Sequence, residues 1–388
     1  MLLTGSGRLA PAGLSPWAIR VEEGRIAWVG DAGDAGDAPD EERVDLGGAL
    51  VTPGLVDSHT HPIFAGDRSD EAAARLAGAP YTEGGILRTV RATRAASDDE
   101  LAALVRARLQ AALAAGTTTV ECKSGYGLSL DEELRHLRLL RSAAGALPIR
   151  VLPTFLGAHA VPSEAASLAE YAAHIAEDMI PAVAAERLAT FVDVFADAEF
   201  FDLEATERIA TAARTAGLGL RLHADQLTRT GATELGVQLG AASVDHLEQL
   251  DTDGVAALMG SKTVATLLPA PAIVLRDLLP PARALIDAGV TVALASDANA
   301  GTYGGFGTMP LVVGLGATLL SMSMSEALTA ATAGGGAALR VPLLGRLEPG
   351  APADLVAWDA EHEGAFALRL GAVRALRVWA GGVEVTAA

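Results

Sequence analysis

Four histidines and one aspartate each follow an apolar segment of the sequence, and together they suggest a metal site. The first two end the stretch VTPGLVDSHTH (51–61) two residues apart, a spacing that points both imidazoles to one face of a strand. The others occur in LHADQ, VDHLE and ASDAN. These residues are His59, His61, His223, His246 and Asp297. Singly, each histidine could be an ordinary core or surface residue. Jointly, imidazole with carboxylate suits a borderline divalent cation such as Zn²⁺ or Fe²⁺.

The segments that carry these residues belong to a regular alternation of strands and helices. Amphipathic helical patterns such as 98–115, which opens with a capping box from Ser97 to Glu100, separate eight apolar β-rich stretches. Predicted strands 1 to 8 are 55–61, 117–125, 149–159, 191–197, 218–226, 242–249, 263–269 and 291–299. Alternating β and α units indicate a parallel sheet, and eight of them close a (β/α)8 barrel of the TIM type. An open, doubly wound sheet is the alternative.

A barrel would bring the five residues together, because the carboxyl ends of its strands share one mouth. Strand 1 ends with the histidine pair, and strands 5, 6 and 8 end with the other three residues. His159, in GAHAVP, ends strand 3 in the same way. The remaining three of the eight histidines, His136, His174 and His362, are expected on helices or surface loops.

Short β segments flank the barrel on both sides. Each terminal group is too small to bury a core alone, so the two are predicted to form one β-sandwich domain from residues 1–50 and 343–388. The barrel domain is then 51–342. The Asp-, Gly- and Ala-rich segment 31–42 is expected to be a solvated loop.

Composition limits the partners. The formal charge of −19 argues against nucleic acid and anionic membrane, and it requires a local cation if the substrate is an anion. One cysteine excludes an intramolecular disulfide and fits a reducing compartment. With no signal-peptide pattern and no apolar run long enough for a membrane span, a cytoplasmic protein is expected.

The pattern of these motifs resembles the amidohydrolase superfamily of metal hydrolases. GLVDSHTH and GRLEPGAPADLVAWD both match superfamily signatures, and so does the order of ligands on strands 1, 5, 6 and 8. Many members carry a carboxylated lysine after strand 4 that bridges two metals. Strand 4 here, in FVDVFADAEFF, has no lysine, and Lys123 lies on strand 2. The resemblance therefore implies a site for one metal ion, Zn²⁺ or Fe²⁺.

A narrower resemblance is to the imidazolonepropionase family of histidine degradation. It rests on ECKSGYGL, TFLGAHAVP, LHADQ, VDHLE and SDAN, which occur in this order and span nearly the whole chain. The implied reaction is hydrolysis of the cyclic amide of 4-imidazolone-5-propanoate to N-formimidoyl-L-glutamate. The chain departs from the family after the aspartate, where Ala300 and Tyr303 replace a proline and a serine.

The resemblance also implies roles for individual residues. The metal ligands would be His59, His61, His223 and Asp297. Asp297 would also act as the base for the attacking water, and His246 would orient that water or stabilise charge on the carbonyl oxygen. The residues that match the family's substrate contacts are Arg68, Tyr126, His159, Gln226, Asn299, Gly301 and Thr302. Among them, Arg68 would bind the propionate.

Two other functions stay open. The chain could be another mononuclear amidohydrolase, such as a heterocycle deaminase or a different cyclic-amide hydrolase. It could also be a scaffold that lost its site, although the presence of every predicted ligand argues against this. The family resemblance further implies a homodimer.

Overall fold

Short apolar segments form the strands of three sheets. The computed structural model describes residues 1–36, 41–78 and 83–385. Its strands are β1 (Leu2–Gly5), β2 (Trp17–Glu22), β3 (Arg25–Asp31), β4 (Arg43–Asp45), β5 (Leu50–Pro53), β6 (Leu55–Asp57), β7 (Thr117–Lys123), β8 (Arg150–Ala158), β9 (Phe191–Ala196), β10 (Gly219–Ala224), β11 (Ser243–His246), β12 (Val264–Leu267), β13 (Val292–Leu294), β14 (Leu355–Trp358), β15 (Ala375–Ala380) and β16 (Val383–Val385).

Helices connect most of the central strands. They are α1 (Ser69–Leu76), α2 (Glu83–Ala95), α3 (Asp98–Ala114), α4 (Leu130–Ala144), α5 (Leu168–His174), α6 (Ile180–Ala185), α7 (Leu203–Thr215), α8 (Ala232–Leu239), α9 (Thr252–Leu258), α10 (Pro269–Leu275), α11 (Ala282–Asp287), α12 (Met309–Leu319), α13 (Met324–Thr329), α14 (Gly335–Ala338) and α15 (Ala365–Leu368). π-helical turns occupy Ile175–Met179 and Ala330–Gly334. No described helix is long and apolar enough to cross a membrane.

The eight central strands form one parallel sheet in the order β6 to β13, as the alternating pattern predicts. In β9, Val192 and Val194 join the apolar core beneath the helices, while Asp193 and Phe195 face the interior. Helix α3 shows how the outer layer forms. The Ser97 hydroxyl accepts a hydrogen bond from Glu100 N–H at its start, and buried side chains recur every four residues along it.

The sheet is nearly closed into a barrel where β6 and β13 meet, which we call the seam. Beyond the strand ends, His61 N–H donates to Ala298 C=O at 2.9 Å, and Asp297 N–H donates to His59 C=O at 3.0 Å. The Asp57 carboxylate accepts hydrogen bonds from the backbone N–H and the hydroxyl of Ser296, at 2.9 and 2.6 Å. The closed-barrel prediction is therefore confirmed over the open sheet.

The apolar run before the histidine pair is divided between two sheets, and the first barrel strand is shorter than the predicted strand 55–61. Leu50–Pro53 pairs antiparallel with β14, and only Leu55–Asp57 belongs to the barrel. Gly54 lies between them with its Cα against Thr118, where a Cβ would come within 2.1 Å of the threonine hydroxyl. Glycine at this position lets the chain leave one sheet and enter the other.

The terminal strands form a small domain of two sheets, in the orders β3-β2-β1-β4 and β16-β15-β14-β5. A shared apolar core, which includes Trp17, Ile19, Leu355 and Trp379, lies between them. Of the predicted loop 31–42, Ala32–Asp34 forms a short 3-10 turn, and residues 37–40 lie outside the described part of the chain.

Candidate active site

Three of the predicted metal ligands meet at the seam. The Nε2 atoms of His59 and His61 are 3.3 Å apart, and Asp297 Oδ1 lies 3.3 Å from Nε2 of His61 and 3.7 Å from Nε2 of His59. With ligand bonds of about 2.0–2.1 Å, the edge of a tetrahedron around Zn²⁺ is about 3.3 Å long. The donor spacing therefore suits one divalent cation.

Two further histidines complete the group. The ring centroid of His223 is 4.5 Å from that of His59, and the ring of His246 is 5.2 Å from that of His223. His59, His223 and His246 each offer a nitrogen within one cluster of the size that a metal ion occupies, and so do His59, His61 and Asp297. The structure thus brings all five residues together, with His59 common to both groups.

Carboxylates behind the site orient two of the imidazoles. His59 Nδ1 lies 2.7 Å from Asp245 Oδ2, and His223 Nδ1 lies 3.2 Å from Asp193 Oδ1. A proton on each Nδ1 satisfies these carboxylates and leaves both Nε2 lone pairs facing the other ligands.

The charge states of the group fit metal binding. Burial, reinforced by the nearby Lys123 ammonium, holds the pKa of His59 well below its ordinary value, and burial also lowers the pKa of His223 although Asp193 opposes it. Both rings are therefore neutral at neutral pH. Burial would raise the pKa of Asp297, but the hydrogen bond to His61 and the electrostatic interactions with the neighbouring histidines outweigh it and lower the pKa. The set therefore offers the neutral imidazoles of His59 and His223 beside an ionised carboxylate.

His246 differs from the other histidines of the group. Burial would lower its pKa, but the Glu248 carboxylate, 3.5 Å from Nδ1, outweighs burial and raises it. Its Nε2 lies 3.9 Å from Asp297 Oδ2, the oxygen turned away from the His61 side. Both residues adopt the left-handed backbone region, with φ of +83° at His246 and +47° at Asp297. Such strain in residues other than glycine is concentrated at functional sites.

The five residues open into a cavity. Its lining includes six of the seven residues predicted to bind substrate, in addition to four of the five residues above. The lining residues are His61, Arg68, Ile86, Tyr126, His159, Phe195, His223, Gln226, His246, Asp297, Asn299 and Thr302. Gln226 Oε1 is buried and has no hydrogen-bond partner among the described residues, so it is available to a donor on a ligand.

Tyr126 and His159 form one aromatic wall of the cavity. The His159 ring stacks on His61 at 5.3 Å between centroids, and the Tyr126 ring lies 5.1 Å from that of His159. The loop that carries Tyr126 is fixed from behind by the buried Glu133 carboxylate of α4. This carboxylate accepts hydrogen bonds from the N–H groups of Gly125, Gly127 and Leu128 at 2.8–3.1 Å.

Arg68 is a buried cation, with 5% of its surface exposed. Its Nε and NH2 groups donate to the two oxygens of Glu71, which Arg75 also binds. The guanidinium lies against the Cα atoms of Gly85 and Gly301, where an added Cβ would approach within 1.9 and 2.1 Å of it. The absence of a side chain at Gly301 therefore allows the Arg68 guanidinium to pack against its backbone. A contact between Gly301 and the substrate stays a prediction.

The loop after Asp297 is held by its own side chains. The Asn299 amide nitrogen donates to Asp297 C=O and to the Thr302 hydroxyl, and its oxygen accepts from the N–H groups of Gly301 and Thr302. These four bonds use the full donor capacity of the amide and both acceptor sites of its oxygen. The departure at position 303 leaves this arrangement intact, because Asn299 N–H bonds to the main-chain oxygen of Tyr303.

Sequence reasoning missed the charged residues inside the strands. Four charged residues are fully buried: Lys123, Asp193, Arg221 and Asp245. Of these, only Lys123 was considered from the sequence, and only as a group that could bridge two metals. The sequence did contain a signal, because the strands of a parallel barrel are mostly apolar and a charged residue within one must be paired. His136 was expected on a helix or surface loop. It lies on α4 as expected, but it is fully buried.

Comparison with known proteins agrees with this geometry. The sequence model of the Amidohydrolase family matches residues 50–385. The imidazolonepropionase of Salinispora arenicola is 49% identical over 91% of this chain and 88% of its own length, and that of Nocardia farcinica is 45% identical over 97% and 96%.

Solved structures of low sequence identity share the fold. The 5-methylcytosine deaminase of Klebsiella pneumoniae with 5-fluorocytosine has a TM-score of 0.80 at 16% identity, covering 100% of this chain and 97% of its own. A mutant atrazine chlorohydrolase of Arthrobacter aurescens, complexed with zinc and atraton, has a TM-score of 0.76 at 20% identity, covering 99% and 95%. The chain belongs to the amidohydrolase family and, within it, to the imidazolonepropionases.

Proposed function

We propose that this chain hydrolyses the ring amide of 4-imidazolone-5-propanoate to N-formimidoyl-L-glutamate, a step of histidine degradation. The observation that carries the proposal is a single cavity lined both by the His61–Asp297 donor group and by the buried Arg68 guanidinium. A substrate with a hydrolysable amide at one end and a carboxylate at the other fits these two features. Relatives that are 43–49% identical bear the name imidazolonepropionase, which supports the same substrate.

The donor set would hold one divalent cation, Zn²⁺ or Fe²⁺, through His59, His61, His223 and Asp297. The absence of a lysine in β9 supports a single ion rather than a bridged pair. When bound, the cation supplies Lewis acidity, which lowers the pKa of water and polarises the ring carbonyl.

Asp297 is assigned the proton transfers, and His246 is assigned the stabilisation of charge on the carbonyl oxygen. Asp297 Oδ2 faces His246 rather than His61, so this oxygen can accept a proton from the attacking water. Water adds hydroxyl to the carbonyl carbon, the ring C–N bond breaks, and the proton held by Asp297 passes to the departing nitrogen. His246, whose pKa the Glu248 carboxylate raises, donates a hydrogen bond to the oxygen that gains negative charge.

The remaining cavity residues are assigned to substrate binding. Arg68 binds the propionate, which the net charge of −19 would otherwise repel. The ring lies against Tyr126 and His159, and Gln226 Oε1 accepts from a ring N–H. Asn299, Gly301 and Thr302 shape the loop that holds the glutamate-like end of the substrate.

A direct assay tests the function. Metal-stripped protein is reloaded with Zn²⁺ or Fe²⁺ and given 4-imidazolone-5-propanoate. Loss of ring absorbance with formation of N-formimidoyl-L-glutamate by mass spectrometry is expected, and Asp297→Asn provides the inactive control. No turnover with either metal, together with ammonia release from heterocyclic amines, would replace the proposal with a deaminase.

Three further assignments accompany this function. The protein is expected in the cytoplasm. It is also expected to be a homodimer, and light scattering of the purified chain tests this oligomeric state. The β-sandwich and barrel domains, predicted at 1–50 plus 343–388 and at 51–342, are best divided at Gly54, because β5 pairs with β14.

A further inference from the structure

Two cations lie inside the barrel and take no part in the proposed reaction. Lys123 on β7 and Arg221 on β10 are both fully buried. Removing a charge from water costs several kcal/mol even after relaxation, and apolar side chains of similar size often fill such positions at no loss of stability. Stability alone therefore does not explain why Lys123 and Arg221 are charged, and a role in function would.

Each cation contacts a carboxylate that in turn contacts a proposed metal ligand. Lys123 Nζ lies 2.7 Å from Asp193 Oδ2, and the other oxygen of Asp193 lies 3.2 Å from His223 Nδ1. Arg221 NH2 lies 2.9 Å from Asp245 Oδ2, which is 2.7 Å from His59 Nδ1. The order cation, carboxylate, imidazole is the same in both, and we call these two chains the relays.

The relays restrict the orientation of the two imidazoles more than the carboxylates alone could. A carboxylate can rotate between rotamers, whereas one bonded to a fixed cation keeps one oxygen on the imidazole. Lys123 is held from its other side by Glu121 Oε1 at 2.9 Å, and Arg221 also donates to the backbone oxygen of Ser58 at 2.7 Å, next to His59.

We propose that Lys123 and Arg221 are positioning residues that fix the orientation and the Nδ1–H tautomer of His223 and His59 through Asp193 and Asp245. Both imidazoles then present Nε2 to the metal without rearrangement on binding. The inference rests on the proposed metal site, but not on the identity of the substrate.

Metal affinity tests the relays without any turnover. The dissociation constant for Zn²⁺ is measured by competition with a chromophoric chelator at pH 7.5. Lys123→Met and Arg221→Met should each weaken binding roughly 10- to 100-fold, the usual effect of losing a group that orients a ligand. Arg135→Met is the matched control, because it removes a guanidinium bonded to Asp98 and Glu132 on the outer helices. It should leave the affinity unchanged.

Double-mutant cycles separate positioning from packing. If Lys123 acts through Asp193, adding Lys123→Met to Asp193→Asn should change the Zn²⁺ affinity less than twofold further, and the Arg221–Asp245 pair should behave likewise. Unchanged affinity in both methionine variants, or additive losses in both cycles, would overturn the proposal. Lower thermal stability with unchanged affinity would mean a purely structural role and would overturn it too.

The wild-type protein offers a test that does not depend on variants folding. In ¹⁵N-histidine NMR spectra of the metal-free enzyme, His59 and His223 should carry their protons on Nδ1. Protons on Nε2 would overturn the relays. An enzyme that shows these spectra and affinities but does not open the imidazolone ring would instead contradict only the proposed function.

Discussion

Replacing Arg68 by methionine should weaken substrate binding and leave the chemical step nearly intact. The guanidinium is buried and faces the cavity, and Glu71 already binds its Nε and NH2 groups. One charge-assisted hydrogen bond from this guanidinium to the propionate would be worth about 1.5–3 kcal/mol. At 1.4 kcal/mol per tenfold change, KM should rise roughly 10- to 150-fold. Because the bond is made equally in the ground and transition states, kcat should change little.

The assay compares two substrates and a matched variant. Initial rates are measured with 4-imidazolone-5-propanoate and with the imidazolone ring lacking the propionate. Arg88→Met is the control, since Arg88 is an exposed cation bonded to Asp70 of the same helix region, outside the cavity. For the ring that lacks the propionate, KM should be the same in the wild type and in Arg68→Met.

Two results would refute this reasoning. An unchanged KM for the full substrate would remove Arg68 from propionate binding. An equal rise in KM for both substrates would mean that Arg68 only supports the loop at Gly301, against which it packs. Adding Glu71→Gln to Arg68→Met should recover part of the lost affinity, because it removes a carboxylate that would repel the propionate.

Three further predictions concern other parts of the molecule. Asp297→Asn should lower kcat by on the order of 10²–10⁴-fold, the range for loss of a general base, and wild-type kcat in the reloaded variant would exclude that role. Glu133→Gln, which disturbs three hydrogen bonds to the loop of Tyr126, should lower kcat/KM on the order of 10-fold with unchanged Zn²⁺ affinity; weakened metal binding would contradict a local effect. Burial lowers the pKa of His136 to about 3, so the unfolded chain binds a proton below pH 6.5 that the native protein does not, and stability is lost as the pH falls. Between pH 7.5 and 5 this group should cost about 2 kcal/mol, which urea unfolding of His136→Leu at both pH values should show as a smaller decrease than in wild type; equal decreases would count against it.

The proximity of the candidate site residues could be predicted because barrel geometry brings residues that are distant in sequence to one mouth. His223, His246 and Asp297 follow strands 5, 6 and 8, and a barrel requires those ends to meet. The eight predicted strands correspond to β6 to β13. The division of the run 50–56 between two sheets could not be predicted, because its apolar character is the same in both sheets and only the pairing of β5 with β14 distinguishes them.

The hydrogen-bond network behind the proposed metal ligands could not be predicted in the same way. His59 and Asp245 are 186 residues apart, and their contact depends on which side chains of each strand face inward at the same height. Gly301 shows the same limit, because only the structure shows that its Cα packs against the guanidinium of Arg68. The burial of His136 on its helix could not be predicted, because a histidine on an amphipathic helix gives no sign of the face it occupies.

The seam is a weak point of the fold, and the proposed metal ligands lie at it. The first and last barrel strands are joined by Asp57 and Ser296, 239 residues apart, and by backbone bonds made by His59, His61 and Asp297. A cation held by these residues would link the first and last strands of the barrel. Chelation should therefore release the amide hydrogens of His61 and Asp297 to exchange before those of β9 and β10, so that loss of activity and opening of the fold begin at one place.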